Sequence, residues 1–249
     1  MKKQLCSLLT ALALAVGLLP SAARAAENAP SFADVPAAAW YADAVQYVYE
    51  NGLMTGVSES EFAPDGTATR GQIVTILWRL AGSPVVNYAM RYADADEGAW
   101  YGEAVRWAAS TGVVTGYSES SFGPNDAITR EQLAAILYRY IETQGQGFTG
   151  MWYFPLRYDD AASTSSWADE AMHWCVMKGV LNGTGETTLS PRLTATRAPL
   201  AAILRRFCEL PKDTASKSAA QTAYDRASAY LTAAVSAPRY GSLGGEWTV

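Results

Sequence analysis

Ile128-Thr129-Arg130-Glu131-Gln132 stands in front of an apolar run, and its Thr-Arg pair returns at Thr69-Arg70 and at Thr196-Arg197. Trp40, Trp100 and Trp167 are separated by 60 and 67 residues, and Gly52, Gly112 and Gly179 keep the same two intervals. So do the Thr-Arg pairs. Three landmarks in one register mark a module of about 60 residues written three times, with the seven extra residues lying before Trp167.

Working outward from the pair, each copy opens on an aromatic-x-Asp group: Phe32-Ala33-Asp34, Tyr92-Ala93-Asp94 and Tyr158-Asp159-Asp160. A first helix is predicted from Trp40, Ala44, Tyr47 and Val48, and in the later copies from Trp100, Ala104, Trp107 and Ala108 and from Trp167, Ala171, Trp174 and Cys175. It stops at Gly52, Gly112 or Gly179, where a positive φ costs glycine nothing. A second glycine follows four residues later, at Gly56, Gly116 and Gly183, and the aliphatic pair between the two is expected to plug the core. Next come a polar hairpin-like stretch and an anchor, Phe62-Ala63-Pro64, Phe122-Gly123-Pro124 or Leu189-Ser190-Pro191.

The second helix starts at the Thr-Arg pair. Threonine is a good N-cap, and Gln72 and Gln132 stand three residues on, as a capping box requires; the third copy has Pro199 there, with Leu200, Ala201, Ile203 and Leu204 as its apolar face. Capping accounts for the threonine and not for the arginine. Arg70, Arg130 and Arg197 fall where the helix dipole favours an anion. Free helix N–H groups beside a guanidinium fork would receive a carboxylate or phosphate; the plainer reading is an ion pair with Asp34, Asp94 or Asp160. The tryptophans also have two readings, a half-buried indole in the core or a flat wall beside a sugar ring.

Aromatic-x-Asp, Trp, Gly-aliphatic-x-x-Gly, Phe-x-Pro and Ile-Thr-Arg-Glu in this order resemble the S-layer homology domain, over roughly residues 29 to 210. The resemblance implies an all-α, mainly helical protein in which three tandem modules form a pseudo-three-fold helical bundle with ligand grooves between neighbours. It also implies non-covalent attachment of an exported protein to the bacterial cell wall through secondary wall polysaccharide that bears pyruvylated sugars. Carried onto this chain, the groove residues are Arg70, Arg130 and Arg197, Asp34, Asp94 and Asp160, Trp40, Trp100 and Trp167, and Gly56, Gly116 and Gly183, the glycines letting the polymer approach the backbone. A ketal carboxylate on the sugar would be the anion each arginine lacks. Copy one departs from the pattern with Thr69-Arg70-Gly71-Gln72, and copy three with Thr196-Arg197-Ala198-Pro199 and Leu189, so only copy two keeps the acid, Glu131. Unequal grooves are the expectation.

The predicted organisation is a signal peptide at 1–25, modules at 29–87, 88–146 and 154–211, a linker at 212–221 and a helical tail at 222–249. Lys2 and Lys3, the apolar Leu5–Leu19 stretch and Ala23-Arg24-Ala25 carry the signal reading, and export follows from it. After cleavage 16 basic residues face 24 acidic ones, a formal charge near -8 that speaks against nucleic acid and against an anionic membrane surface. No membrane insertion is expected after cleavage, and a monomer is. The tail holds a helical pattern over 222–235 followed by Gly244-Gly245-Glu246-Trp247; it resembles the start of a prenyltransferase or squalene-cyclase toroid, which would make the chain a shortened product.

Neither an enzyme nor a cofactor is expected. There is no Gly-x-Ser-x-Gly elbow or phosphate-binding glycine loop, and His173, the single histidine, has no partners at metal-ligand spacing. A glycosidase pair such as Glu103 and Glu131 would leave little sequence trace; solvent-facing carboxylates are the simpler reading. Gly150-Met151-Trp152-Tyr153-Phe154-Pro155 is read either as a wider sugar-binding surface or as a packed cover. Cys175 and Cys208 either pair or remain thiols. The competing function is a protein-protein scaffold at the cell surface that binds no glycan.

Overall fold

The computed structural model describes residues 32–148 and 154–211. The signal segment, the Gly150–Tyr153 part of the aromatic connection, the linker and the helical tail with its toroid resemblance lie outside the described residues. The described part is helical and without a sheet: α1 (Ala42–Glu50), α2 (Arg70–Leu80), α3 (Gly102–Thr111), α4 (Arg130–Thr143), α5 (Asp169–Met177) and α6 (Arg197–Cys208), with 3-10 turns at Ala161–Ser163 and Ser166–Ala168. Each copy thus supplies a shorter first helix and a longer second one.

The local signals act as the residue chemistry predicts. The helix ends turn through Gly52, Gly112 and Gly179, at φ of 66°, 74° and 70°. Leu53-Met54, Val113-Val114 and Val180-Leu181 follow them and are buried, and in the first copy both amides close on the carbonyl of Val48. At α2 the capping box forms: Thr69 Oγ1 accepts from the Gln72 amide and the Gln72 side chain accepts from the Thr69 amide, both at 3.3 Å. The tryptophans do not follow their predicted helix face. α1 begins at Ala42, and Trp40 sits before it, outside the run of buried Ala44, Val45 and Val48.

The chain divides into two compact units, one holding residues up to Arg130 with 192–208, the other holding 131–191. In the first, α1 packs on α6 and α3 packs on α2, so a copy's first helix lies against the second helix of another copy. Phe62, Phe122, Ile73, Leu77, Ile128, Leu200 and Leu204 are fully buried in its core. Two short helices per copy bury too little apolar surface to hold alone, and this exchange of partners supplies the rest.

The unit also contains a closed ring of three backbone hydrogen bonds: Ala68 N to Ala195 O at 2.9 Å, Ala195 N to Ile128 O at 2.8 Å, and Ile128 N to Ala68 O at 3.0 Å. Each donor directly precedes a Thr-Arg pair, and isolated bridges flank the ring at Thr67 with Thr196, Thr69 with Ala127, and Thr129 with Thr194. In the second unit α5 packs on α4 through Tyr138 and Trp174, whose rings lie 5.6 Å apart, around fully buried Leu133, Leu137, Met172, Leu181 and Leu189. Tyr138 Oη donates to Glu170 at 2.8 Å, and burial together with that carboxylate pushes the phenol up to about 12. Cys175 and Cys208 are thiols and not a disulfide; burial pushes the Cys175 thiol up.

Candidate functional site

The arginines are the most buried cations of the molecule's described part, with Arg70, Arg130 and Arg197 at 5–6% exposure. Their backbone does not offer the anion receptor expected from the sequence. Arg70 N donates to Asp126 O, Arg130 N to Leu193 O and Arg197 N to Gly66 O, at 2.9–3.0 Å, and the next amide in each helix, that of Gly71, Glu131 or Ala198, donates to Pro124, Pro191 or Pro64. The first orphan N–H groups of all three helices are therefore taken by carbonyls of another copy's anchor or of the residue two places after it. A neighbouring chain segment does the work that an anion would do.

The side chains continue the same joint. Arg197 donates from Nε to Phe62 O at 2.8 Å and from Nη2 to Thr55 O at 2.7 Å, while its guanidinium carbon lies 4.5 Å from the Phe62 ring centre. Arg70 makes the equivalent bonds one copy on, to Phe122 O and Thr115 O, both at 3.1 Å. In each case Nε and its neighbouring Nη2 proton occupy one edge of the guanidinium, and at Arg197 a carboxylate would meet the adjacent, end-on edge. Burial pushes the Arg197 guanidinium down from its ordinary value and the Asp34 charge pushes it back up; with an ordinary value so high, it stays charged.

The aspartates hold turns. Asp34 accepts from the Phe62 and Ala63 amides at 2.8 and 2.6 Å, Asp94 from those of Phe122 and Gly123 at 2.8 Å, and Asp160 from those of Leu189 and Ser190 at 2.7 Å. The second amide of each pair belongs to a left-handed residue, Ala63, Gly123 or Ser190. Clamping that strained conformation explains why the acid recurs 28 or 29 residues before the anchor. Burial would raise the Asp94 carboxyl, but the Phe122 and Gly123 amides and the Ser121 hydroxyl outweigh it and hold it below 3.8.

The second glycines also have an internal cause. A Cβ on Gly56 would meet the carbonyls of Ser58 and Glu61 and the Phe32 ring; on Gly116 it would meet those of Ser118 and Ser121 and the Tyr92 ring; on Gly183 it would meet those of Gly185 and Thr188 and the Tyr158 ring. The space is filled by the copy itself, so the turn requires glycine without any polymer nearby. Glu131, the acid kept in copy two, accepts from the amide and hydroxyl of Ser165 at 2.9 and 3.0 Å and so fixes the turn before α5. Glu103 pairs with Arg106 at 2.8 Å.

The tryptophans are different. Trp40, Trp100 and Trp167 are 67, 60 and 54% exposed, against the core reading of the sequence. Within the first unit Trp100 forms one wall of a cleft of about 510 Å³, with Arg197, Gln72, Arg79 and the Thr55-Gly56-Val57 segment on the other sides. A volume of this size suits a small ligand, and the cleft combines a flat apolar face, a buried cation and amide groups. Three of the proposed groove residues, Arg197, Trp100 and Gly56, meet here. The Asp34 charge acts on Arg197 through its field.

Arg79 was missed by the sequence reading. It donates to Leu53 O at 3.1 Å and adds a second guanidinium to the cleft. The signal was present: Arg79, Arg139 and Arg206 each stand nine residues after a Thr-Arg arginine. Among the described residues no cluster suited to a metal ion forms, and no helix is long and apolar enough to cross a membrane.

The sequence is similar to those of several known proteins. The chain is 27% identical over 207 residues to an S-layer protein of Bacillus thuringiensis subsp. finitimus, covering 82% of this chain and 24% of the relative. It is 29% identical over 210 residues to an endoglucanase of a Bacillus species (81% and 22%) and 28% identical over 170 residues to an amylopullulanase of Thermoanaerobacterium thermosulfurigenes (68% and 9%). The chain therefore spans less than a quarter of the length of these relatives. The model of the S-layer homology domain matches three times, at residues 31–74, 91–134 and 157–198, more than half of the sequence. The three repeated modules are S-layer homology domains, and the chain belongs to that family.

Proposed function

We propose that this chain is a monomeric anchor that attaches an exported protein to the bacterial cell wall, without catalysis, by holding a secondary wall polysaccharide in the cleft between Trp100 and Arg197. The observation that carries the reading is the meeting of an exposed indole and a buried guanidinium in one cleft. A sugar ring would lie against Trp100, and a ketal carboxylate of a pyruvylated residue would take the end-on edge of Arg197, with Arg79 adding positive charge. A charge-assisted bond in a partly desolvated site contributes about 1.5–3 kcal/mol. The ring of bonds through Ala68, Ala195 and Ile128 supports a pseudo-three-fold order of the modules, in which related grooves recur.

The relatives support attachment over catalysis. An S-layer protein, an endoglucanase and an amylopullulanase have different printed roles, yet each shares with this chain a segment that is a minor part of its length. A segment common to such different proteins fits a shared address better than a shared reaction.

The test uses the full chain and purified cell-wall sacculi. Binding is expected to intact sacculi and to be lost once the non-peptidoglycan polymer is stripped. Equal binding before and after stripping would remove the polysaccharide reading, and recovery of a wall protein instead would establish a scaffold. Release of reducing sugar by the chain would establish an enzyme.

A further inference from the structure

The first two copies place different residues directly after the second glycine. Val57 follows Gly56 and lines the Trp100 cleft, 58% exposed; Tyr117 follows Gly116, and its ring lies over Arg70 with the guanidinium carbon 4.3 Å from the centroid. That distance is well inside the reach of a cation-π contact. The register thus puts a phenol ring at the second arginine where the Arg197 site has an open wall.

A second difference accompanies the first. The anchor residue with left-handed backbone is Ala63 in copy one, Ser190 in copy three and Gly123 in copy two. A Cβ built on Gly123 would meet Oδ2 of Asp126 first and would lie 2.5 Å from Cε2 of Tyr117. The ring and the Asp126 carboxylate both need a glycine beside them, and copy two has the glycine. Copy one carries Ala63 in the same left-handed region at a cost in strain, so the space taken by Asp126 and Tyr117 is what sets glycine at 123 apart.

From this paired change we propose that Tyr117, seated by Gly123, is the residue that decides which arginine sites take a ligand, withdrawing Arg70 from the wall sugar and leaving Arg197 to bind it. The inference rests on the anchoring reading above. A sugar carrying a carboxylate must bring its own ring over or beside the guanidinium, and at Arg70 the phenol already holds that position. Valine at 57 leaves it open.

The experiment is calorimetric titration of the full chain with a monovalent methyl glycoside bearing a pyruvate ketal. Tyr117→Val is expected to gain one binding event per chain over wild type, and Arg70→Ala in that background to remove it. Val57→Tyr, at an exposed position, is expected to lose one event from wild type. Tyr117→Phe retains the ring and is expected to match wild type, with thermal melts checking that every variant is folded. A folded Tyr117→Val protein that binds as wild type does, or more weakly because the ring was a platform for the sugar, overturns the assignment of Tyr117 and leaves the anchoring reading intact. Failure of wild type and Tyr117→Val alike to bind the glycoside overturns both.

Discussion

The joint at the helix starts and the cleft beside it are built from the same repeated motif, yet they use it in opposite ways. At the joint, arginine, aspartate and glycine are consumed by the fold: Arg70 and Arg197 bond to carbonyls, Asp34 and Asp160 to amide pairs, and Gly56 and Gly183 to a turn too tight for a Cβ. At the cleft, Trp100 projects with most of its surface in water, and Arg197 forms part of the wall. Repetition alone marks both kinds of residue. Burial and hydrogen-bond partners separate them, and the recurring tryptophans are the exposed members of the motif.

Substitutions should divide along the same line. The largest effect is expected for Gly56→Ala, whose Cβ would overlap two carbonyls and the Phe32 ring; a loss of about 3 kcal/mol in denaturant unfolding follows from such overpacking. Stability within 0.5 kcal/mol of wild type would break the claim that this glycine is structural. Asp34→Ala removes the acceptor from two amides at the strained Ala63 turn and is expected to cost about 2 kcal/mol.

A smaller effect is expected from acid. The folded Asp94 carboxyl lies below 3.8, so its contribution is fully present above that ordinary value and fades as pH falls through the folded value. Acid unfolding followed by circular dichroism should show a shallower decline below pH of about 4 in Asp94→Asn than in wild type. Identical acid profiles would mean that the amides of Phe122 and Gly123 gain nothing from the charge.

Much of the joint was legible from residues because its parts are local. Threonine with glutamine three residues on specified the cap, glycine at a fixed interval specified the helix ends, and the aliphatic pairs between glycines specified the plugs. The partners of the arginines were not legible. Arg197 reaches Thr55 across 142 residues, and no periodicity within a copy says which copy its side chain will meet. Exposure of the tryptophans was also hidden: they stand at helical spacing from the apolar face, but the helices begin after them, so that spacing carries no burial. Arg79 was readable from its register with Arg139 and Arg206, each nine residues after a repeated arginine.

The smallest stability effect and the most direct functional one meet in Trp100→Ala. Loss of a side chain 60% exposed should change unfolding by less than about 0.5 kcal/mol. Sedimentation of that variant with intact wall sacculi, compared with wild type across a concentration series, measures the cleft itself. At least tenfold weaker binding with unchanged stability is the predicted result, and wild-type binding by the folded variant would contradict a sugar site between Trp100 and Arg197.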